Sequence, residues 1–216
     1  QLIGVVAKES ENEIVAEFFQ LFKTPWEFCR EDRKYDVVVA ASEELPAVDA
    51  DFIIFYNSGS TRFDSEQALE PGLSSEKVIS ADRDLSFPIY GQVVTFRKHE
   101  QTRLTLRTSK EAVAIEVSIR DKKVMRIGFD LFQEVYFLLT SGQPVEFSHI
   151  PTLDLHISIL RKFILDSGMP LVEIPPVPSG YDYACCLTHD IDFAGVRRHK
   201  FDHTMYGFLY RALFGS

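Results

Sequence analysis

Hydrophobic positions change their period several times over the first sixty residues of the chain. Short apolar runs at 2–7 (LIGVVA) and 26–30 (WEFCR) flank the segment 11–22 (ENEIVAEFFQLF), where apolar residues recur at helical spacing. Two longer runs, 36–42 (DVVVAAS) and 51–59 (DFIIFYNSG), are apolar without alternation. Unbroken apolar runs are typical of strands buried on both faces, as in parallel sheets. The pattern therefore predicts a doubly wound α/β arrangement at the start of the chain.

Three segments have the spacing of amphipathic helices. For the first, at 11–22, Ser10 is the predicted N-cap, with Glu13 three residues later. The second, 131–142, and the third, 153–168, each end in glycine, which favours helix termination. In the second helix four apolar residues share one face: Phe132, Val135, Tyr136 and Leu139.

The middle of the chain alternates more. Segments 86–98 and 111–130 are rich in β-branched residues, and the polar stretch RDKK at 120–123 predicts a turn between antiparallel strands. The piece 122–132 resembles the last strand and turn of glutamine-amidotransferase-like flavodoxin folds, although no cysteine lies on a strand-to-helix elbow there. The predicted fold class is α/β: a flavodoxin-like, doubly wound domain with some antiparallel strands.

A proline-rich stretch, 169–180 (MPLVEIPPVPSG), follows the last predicted helix. Proline density of this kind forbids helix and stiffens the chain, so the stretch is predicted to be a linker. The expected domains are residues 1–175, an N-terminal α/β domain, and residues 176–216, the start of a second domain. The polar loop at 56–77 follows a parallel-type strand and is interpreted as a surface loop rather than a ligand site.

Composition narrows the function classes. The 216 residues carry a formal net charge of −9, and the one basic cluster is GVRRHK at 195–200. Nucleic-acid binding needs a basic stripe, so it is not expected. No apolar run approaches the roughly 20 residues of a membrane helix, so no membrane span is expected, and the predicted location is cytoplasmic or at the cell envelope.

Isolated cysteines and histidines are interpreted as structural. Cys29, Cys185 and Cys186 have no metal-site or disulfide spacing and are predicted to be reduced, buried thiols. His99, His149 and His156 lie in polar loops or near a helix start, where solvated or capping roles are expected.

The segment 181–192 (YDYACCLTHDID) is predicted to be an apolar strand that ends in polar residues. Because side chains alternate along a strand, Asp190 and Asp192 would lie on the same side. A divalent cation, or a proton on one carboxyl group, would relieve their repulsion. The pattern also fits a capped strand end, with Asp192 as a helix N-cap and Asp190 solvated or paired with Arg197 or Arg198.

The motif CLTHDID resembles the first motif of polysaccharide deacetylases, the carbohydrate esterases related to chitin deacetylase. In that family an apolar strand ends in Thr-Phe-Asp-Asp-Gly, and a subgroup carries Thr-His-Asp-hydrophobic-Asp instead. The resemblance implies that Asp190 is the general base and that Asp192, displaced by one residue from the family pattern, ligates a divalent metal, which in this family is usually zinc. It covers about 12 residues.

Two further histidines, His199 and His203, form His-x-x-x-His, which on a helix places both imidazoles on one face. The family's second metal-binding motif has this form but lies tens of residues farther along. A structural role, or a hydrogen bond to a residue that ligates the metal, is therefore preferred to direct ligation for His199 and His203, and His189 joins them as a residue that would neighbour the metal. An apolar packing face follows: Tyr206, Phe208, Leu209 and Tyr210.

The resemblance implies a protein that removes acetyl groups from an N- or O-acetylated polysaccharide. A complete barrel needs on the order of 200 residues, so residues 176–216 are expected to be a truncated piece of a (β/α) barrel, and this piece is expected to be inactive. The alternative is a non-catalytic interaction or substrate-presenting domain. In that case the apolar strand would be an exposed edge that favours a homodimer.

Overall fold

A computed structural model describes residues 2–81, 85–97, 101–175, 177–187 and 203–214, without the side chains of Thr204 and Phe208. The protein is mixed α/β, with a large sheet that is partly parallel and partly antiparallel. The chain divides into two compact units, Gln1–Ile174 and Pro175–Ser216. Within the described ranges, no helix is both long and apolar enough to cross a membrane.

The first unit holds all the strands found among the described residues. They are β1 (Ile3–Val6), β2 (Trp26–Phe28), β3 (Tyr35–Ala41), β4 (Ala50–Tyr56), β5 (Gly72–Ser74), β6 (Val78–Ser80), β7 (Ser86–Pro88), β8 (Val93–Thr95), β9 (Thr102–Leu106), β10 (Ala112–Ile119) and β11 (Lys122–Ile127). The helices of this unit are α1 (Asn12–Phe22), α2 (Arg62–Glu66), α3 (Leu131–Thr140) and α4 (Thr152–Asp166).

One sheet joins nine of these strands in the order β2-β1-β3-β4-β11-β10-β9-β6-β7. The pairs from β2 to β11 are parallel, and those from β11 to β7 are antiparallel. Strands β5 and β8 form a separate antiparallel pair. The predicted change from parallel to antiparallel pairing is confirmed, and it occurs at β11, which pairs with β4 on one side and β10 on the other.

Both faces of the parallel half are buried, as the unbroken apolar runs predict. In β3, Val37, Val39 and Ala41 belong to the core cluster on one face, while Val38 and Ala40 belong to the cluster on the other. Helices α1, α3 and α4 contribute to the first cluster, and α2 contributes to the second. Because both faces of the sheet are covered here, burial of the apolar side chains on either face stabilises the folded state.

Helix α1 does not begin as the sequence predicts. A 3₁₀ turn at Glu9–Glu11 precedes it, and the helix N-cap is Glu11 rather than Ser10, which is exposed. Within this turn the Glu11 carboxylate accepts a hydrogen bond from the backbone N–H of Lys8 at 3.3 Å. This 3₁₀ turn lies between β1 and α1 and is not indicated by the sequence pattern. It moves the N-cap of α1 one residue toward the C-terminus, from Ser10 to Glu11.

The other predicted helices are confirmed with small changes at their ends. The Asp130 side chain caps α3 by accepting hydrogen bonds from the backbone N–H groups of Phe132 and Gln133, both at 3.1 Å. Gly142 and Gly168 follow α3 and α4 with φ of +71° and +84°, the left-handed conformation that glycine adopts without strain. On the predicted apolar face of α3, Phe132 and Val135 are buried, whereas Tyr136 and Leu139 are exposed.

The predicted linker is partly docked. In its first half, Val172 accepts a hydrogen bond from the Thr24 hydroxyl at 2.8 Å, and the Ile174 N–H donates to the Lys23 carbonyl at 2.9 Å. Glu173 pairs with Arg161 of α4. Residues 169–174 are therefore part of the first unit, because backbone hydrogen bonds and an ion pair bind them to it. The prediction of a linker is therefore wrong for this half.

The second unit is described for 175, 177–187 and 203–214. It contains helix α5 (His203–Phe214), and residues 177–187 contain no strand. The predicted strand at 181–192 is therefore absent from its described part, 181–187. A strand needs backbone partners on a neighbouring strand, and no described strand pairs with these residues. The side chains of residues 181–187 are exposed.

Candidate functional site

The residues predicted to do the chemistry fall mostly outside the part of the chain that the structure describes. This holds for the predicted base, Asp190, for the predicted metal ligand, Asp192, and for His189 and His199. His203 is described: it is the first residue of α5, and it is exposed. In the described ranges, no group of three or more His, Cys, Asp or Glu side chains could hold a metal ion.

The three thiols are not buried as predicted. Cys185 and Cys186 are exposed, because the segment that carries them is not packed as a strand. Cys29 is half-buried, and this burial, together with the Glu27 carboxylate, raises the pKa of its thiol to about 11. A thiol with so high a pKa is protonated at neutral pH and is a poor nucleophile or metal ligand. The prediction of a reduced thiol with a structural role is in keeping with this site.

The polar loop after β4 is mostly exposed or half-exposed, as expected of a surface loop, but one of its residues belongs to a buried ion pair. Asp64 of α2 and Arg126 of β11 both have fully buried side chains. The Arg126 Nε donates to Asp64 at 2.9 Å, and further guanidinium N–H groups donate to the carbonyls of Asn57 and Gly59 at 2.8 and 2.7 Å. The Asp64 carboxylate also accepts from the Thr61 N–H at 2.8 Å.

The Arg126 guanidinium uses all of its hydrogen-bonding groups within this network. Besides Asp64, Asn57 and Gly59, it donates to the Ile127 carbonyl. A guanidinium has five N–H donors, and each has an acceptor here. Its carbon also lies 5.1 Å from the centroid of the Phe55 ring. This ion pair fixes the loop to the sheet, and the Arg126 guanidinium has no N–H donor left to bind a ligand.

A second set of carboxylates borders a cavity of about 400 Å³ in the first unit. We call it the Glu11–Glu134 cleft. It is lined by the turn before α1 and the start of α1, by α3 and by the segment Tyr90–Gly91. The lining residues are Ser10, Glu11, Ile14, Tyr90, Gly91, Phe132, Gln133, Glu134, Tyr136 and Phe137. Its volume is within the range of small-molecule sites. The turn before α1 follows β1, and α3 follows β11, so two of the three lining segments follow the carboxyl ends of parallel strands, where ligands bind in open α/β sheets.

The Glu134 side chain holds one wall of the cleft in place. Its carboxylate oxygens accept hydrogen bonds from the backbone N–H groups of Tyr90 at 2.8 Å and Gly91 at 2.5 Å. A Cβ atom on Gly91 would lie 2.8 Å from Glu134 Oε1, so glycine permits this close approach. The Tyr90 ring stacks on the Phe137 ring with their centroids 4.7 Å apart. These contacts fix an aromatic pair beside a buried carboxylate.

The two carboxyl groups of the cleft are harder to ionise than usual. Burial raises the pKa of Glu134, although the N–H groups of Tyr90 and Gly91 and the Lys77 ammonium oppose it. Burial also raises the pKa of Glu11, and the Asp130 carboxylate adds to the effect. Carboxyl groups with raised pKa values in a cavity are a common property of binding and catalytic sites.

A buried histidine lies elsewhere in the same unit. His156 of α4 was expected to be solvated or to cap a helix, but it is 2% exposed and its Nε2 has no hydrogen-bond partner. Its ring lies against those of Phe87 and Phe129, with centroids 5.3 and 5.6 Å away. Burial lowers its pKa from the usual 6.5 to about 4. His149, by contrast, is exposed, as expected. His99 lies outside the described residues.

Sequence reasoning missed Glu11, Glu134 and the Asp64–Arg126 pair. One signal was present for the cleft: Asp130 and Glu134 are four residues apart and flank buried apolar residues of α3, so both carboxylates share the face of the helix that packs on the sheet. Glu11 also follows the carboxyl end of a strand. No local signal existed for the ion pair, because its partners are 62 residues apart.

Neither a family model nor a curated protein matches the chain. Support for a function therefore comes from the residues of this chain and from their geometry.

Proposed function

We propose that residues 176–216 begin a polysaccharide deacetylase domain, in a protein that removes acetyl groups from N- or O-acetylated sugars. The observation that carries this proposal is the order of residues in 181–192: an apolar run and then Thr-His-Asp-Ile-Asp. The division of the chain at Ile174 and Pro175 supports it as well, because the motif then lies in a different unit from the nine-stranded sheet.

In this proposal the two aspartates have different roles. Asp190 accepts a proton from the water that attacks the acetyl carbonyl, which is general-base catalysis. Asp192 is a ligand of a divalent cation, with zinc as the proposed metal, and the cation would polarise the carbonyl as a Lewis acid. His189, His199 and His203 would lie around this cation as ligands or as hydrogen-bond partners of ligands.

The finer fold assignment is part of the same proposal. The first unit would be a flavodoxin-like, doubly wound domain, and the second a piece of a (β/α) barrel. Support for the first assignment is the order β2-β1-β3-β4-β11 of the parallel strands, which matches the flavodoxin-like order when β11 counts as the fifth strand. Support for the second is again the motif, because barrel enzymes carry catalytic residues at the carboxyl ends of strands.

A second candidate function is non-catalytic: the first unit would present a polysaccharide or bind a partner. The observation that favours it is the Glu11–Glu134 cleft, a cavity with aromatic rings and carboxylates in a unit that lacks the proposed catalytic residues. In a variant of this second function the partner is another copy of the protein, and the exposed apolar residues of 181–187 would pair between the two copies.

The test uses the protein with its complete deacetylase domain. Asp190→Asn and Asp192→Asn are compared with Asp182→Asn, a matched control at an exposed position in the same segment. Bound metal and acetate release from an acetylated oligosaccharide are measured for each. We expect Asp190→Asn to keep its metal and lose activity by about 10²–10⁴-fold, Asp192→Asn to lose the metal, and Asp182→Asn to change neither.

Three results would count against this proposal. If Asp190→Asn loses the metal and Asp192→Asn keeps it, the assigned roles are wrong. If Asp190→Asn and Asp192→Asn release acetate as the unchanged protein does, the catalytic assignment of the motif is wrong. If the unchanged protein releases no acetate, the deacetylase assignment itself is wrong, and the substrate-presenting function is the one that remains.

A further inference from the structure

The Glu11–Glu134 cleft offers contacts that suit one kind of ligand. Its aromatic side chains include the stacked pair Tyr90 and Phe137 and the Tyr136 ring, which is 57% exposed although it lies on the apolar face of α3. Aromatic faces of this kind pack against the apolar face of a ring-shaped ligand and attract cations. No lysine or arginine is among the residues that line the cleft.

The charges around the cleft favour a cation. The Asp130 carboxylate acts on both Glu11 and Glu134, while the Lys8 ammonium acts on Glu11 and the Lys77 ammonium acts on Glu134. Lys77 donates to the Gly91 carbonyl and so lies behind the wall of the cleft. Each lysine thus acts on one glutamate, while Asp130 adds negative charge beside both, so a cationic group that enters the cleft would find a favourable potential.

Glu11 is the carboxylate with capacity to bind a ligand. The oxygens of Glu134 are both engaged by backbone N–H groups at hydrogen-bond distance. Among the described residues, those of Glu11 have only long contacts, at 3.3 Å to the Lys8 N–H and 3.9 Å to the Lys8 ammonium. A carboxylate has about four lone-pair sites, so Glu11 can accept charge-assisted hydrogen bonds from an ammonium or hydroxyl group.

We propose that the Glu11–Glu134 cleft binds a sugar unit that carries a free amino group, with the ammonium on Glu11 and the ring against Tyr136 and the Tyr90–Phe137 pair. The choice of an amino sugar rests on the proposed function, because removal of an acetyl group from an N-acetylated sugar leaves such an amine. The cleft would bind the polysaccharide at sugar units that are already deacetylated. Its ligand would thus be the product of the reaction.

The test measures binding of two probes to the whole chain: a glucosamine trimer and an N-acetylglucosamine trimer, each titrated by calorimetry at neutral pH. Four proteins are compared: the unchanged chain, Glu11→Gln, Tyr136→Ala and Glu9→Gln. The last is a matched control, since Glu9 belongs to the same 3₁₀ turn, loses the same charge and is exposed outside the cleft.

We expect the glucosamine trimer to bind more tightly than the acetylated trimer by about tenfold, and Glu11→Gln to weaken it by a similar factor, as the loss of one charged hydrogen bond implies. Tyr136→Ala should weaken both trimers, and Glu9→Gln should bind as the unchanged chain does. Circular dichroism of the variants checks that they fold.

The proposal is overturned if neither trimer binds, if both bind equally, or if Glu9→Gln weakens binding as much as Glu11→Gln. These failures differ from failure of the deacetylase assignment, which is read from acetate release. A cleft that binds the glucosamine trimer in a protein that releases no acetate would leave the amino-sugar site standing while the deacetylase function falls.

Discussion

Two groups of acidic side chains lie beyond the carboxyl ends of strands in the first unit, and their surroundings differ. Asp64 is paired with Arg126, and both side chains are completely buried. Glu11 and Glu134 border a cavity, and burial raises the pKa of both. In the first group the carboxylate is paired with a guanidinium whose N–H donors are all used. The second has unused acceptor capacity and an excess of negative charge. Burial of a carboxylate alone thus does not distinguish a structural role from a ligand site, whereas the partners do.

The largest effect is expected from breaking the closed group. Arg126→Met should lower the free energy of unfolding by about 3–5 kcal/mol, because it leaves Asp64 as a buried charge without its partner. Arg62→Ala is the control: Arg62 pairs with Glu66 at the surface, with a side chain 81% exposed, and should cost less than about 1 kcal/mol.

Urea unfolding followed by tryptophan fluorescence measures both variants. The chain has one tryptophan, Trp26, which stacks on Phe19 in the first unit and so reports on that unit. If Arg126→Met proves no more destabilising than Arg62→Ala, the ion pair does not fix the loop, and the contrast between the two carboxylate groups fails.

The next effect concerns His156 and acid. Its pKa is about 4 in the folded chain, against an ordinary 6.5, so between these values the unfolded chain binds more protons than the folded one. Stability should therefore fall as the pH is lowered from about 6.5 to about 4, by up to about 3 kcal/mol from this residue, and His156 should contribute no pH dependence above this window.

His156→Leu removes the titrating group and fills the space between Phe87 and Phe129 with an apolar side chain. Urea unfolding at several pH values should show a smaller loss of stability toward acid than in the unchanged chain, while His149→Leu, at an exposed position, should leave the loss as it was. Equal acid sensitivity of all three proteins would mean that His156 is not the group that titrates.

The sequence predicts the sheet better than the cleft, for physical reasons that particular residues illustrate. The unbroken runs that became β3 and β4 required two covered faces, and the structure has them. Such periodicity depends on neighbours in sequence. The partners of Arg126 are remote in sequence, and no local pattern can indicate that a polar loop will close over a strand residue. The same limit applies to Tyr90 and Glu134, which are 44 residues apart.

Other errors arose where local signals competed. Ser10 has good N-cap chemistry, yet the 3₁₀ turn places Glu11 at the cap. His156 was expected to be solvated because its side chain is polar. Its position in α4 places it on the buried face of that helix, with Leu160 and Phe163. The segment 181–187 has the composition of a strand and no described partner strand, so its strand propensity is not realised. The catalytic assignment of Asp190 and Asp192 stays a prediction.

The smallest expected effect gives the most direct test of the open carboxylate group. Carbon-13 NMR of the Glu11 side-chain carboxyl group, followed over pH, measures its pKa with and without the glucosamine trimer. We predict a pKa above the ordinary glutamate value in the free chain, because burial and the Asp130 carboxylate raise it, and a lower pKa with the trimer, because a bound ammonium favours the ionised form. An ordinary pKa in the free chain, or one that the trimer leaves unchanged, would contradict the claim that Glu11 is a partly buried carboxylate available to a cationic ligand.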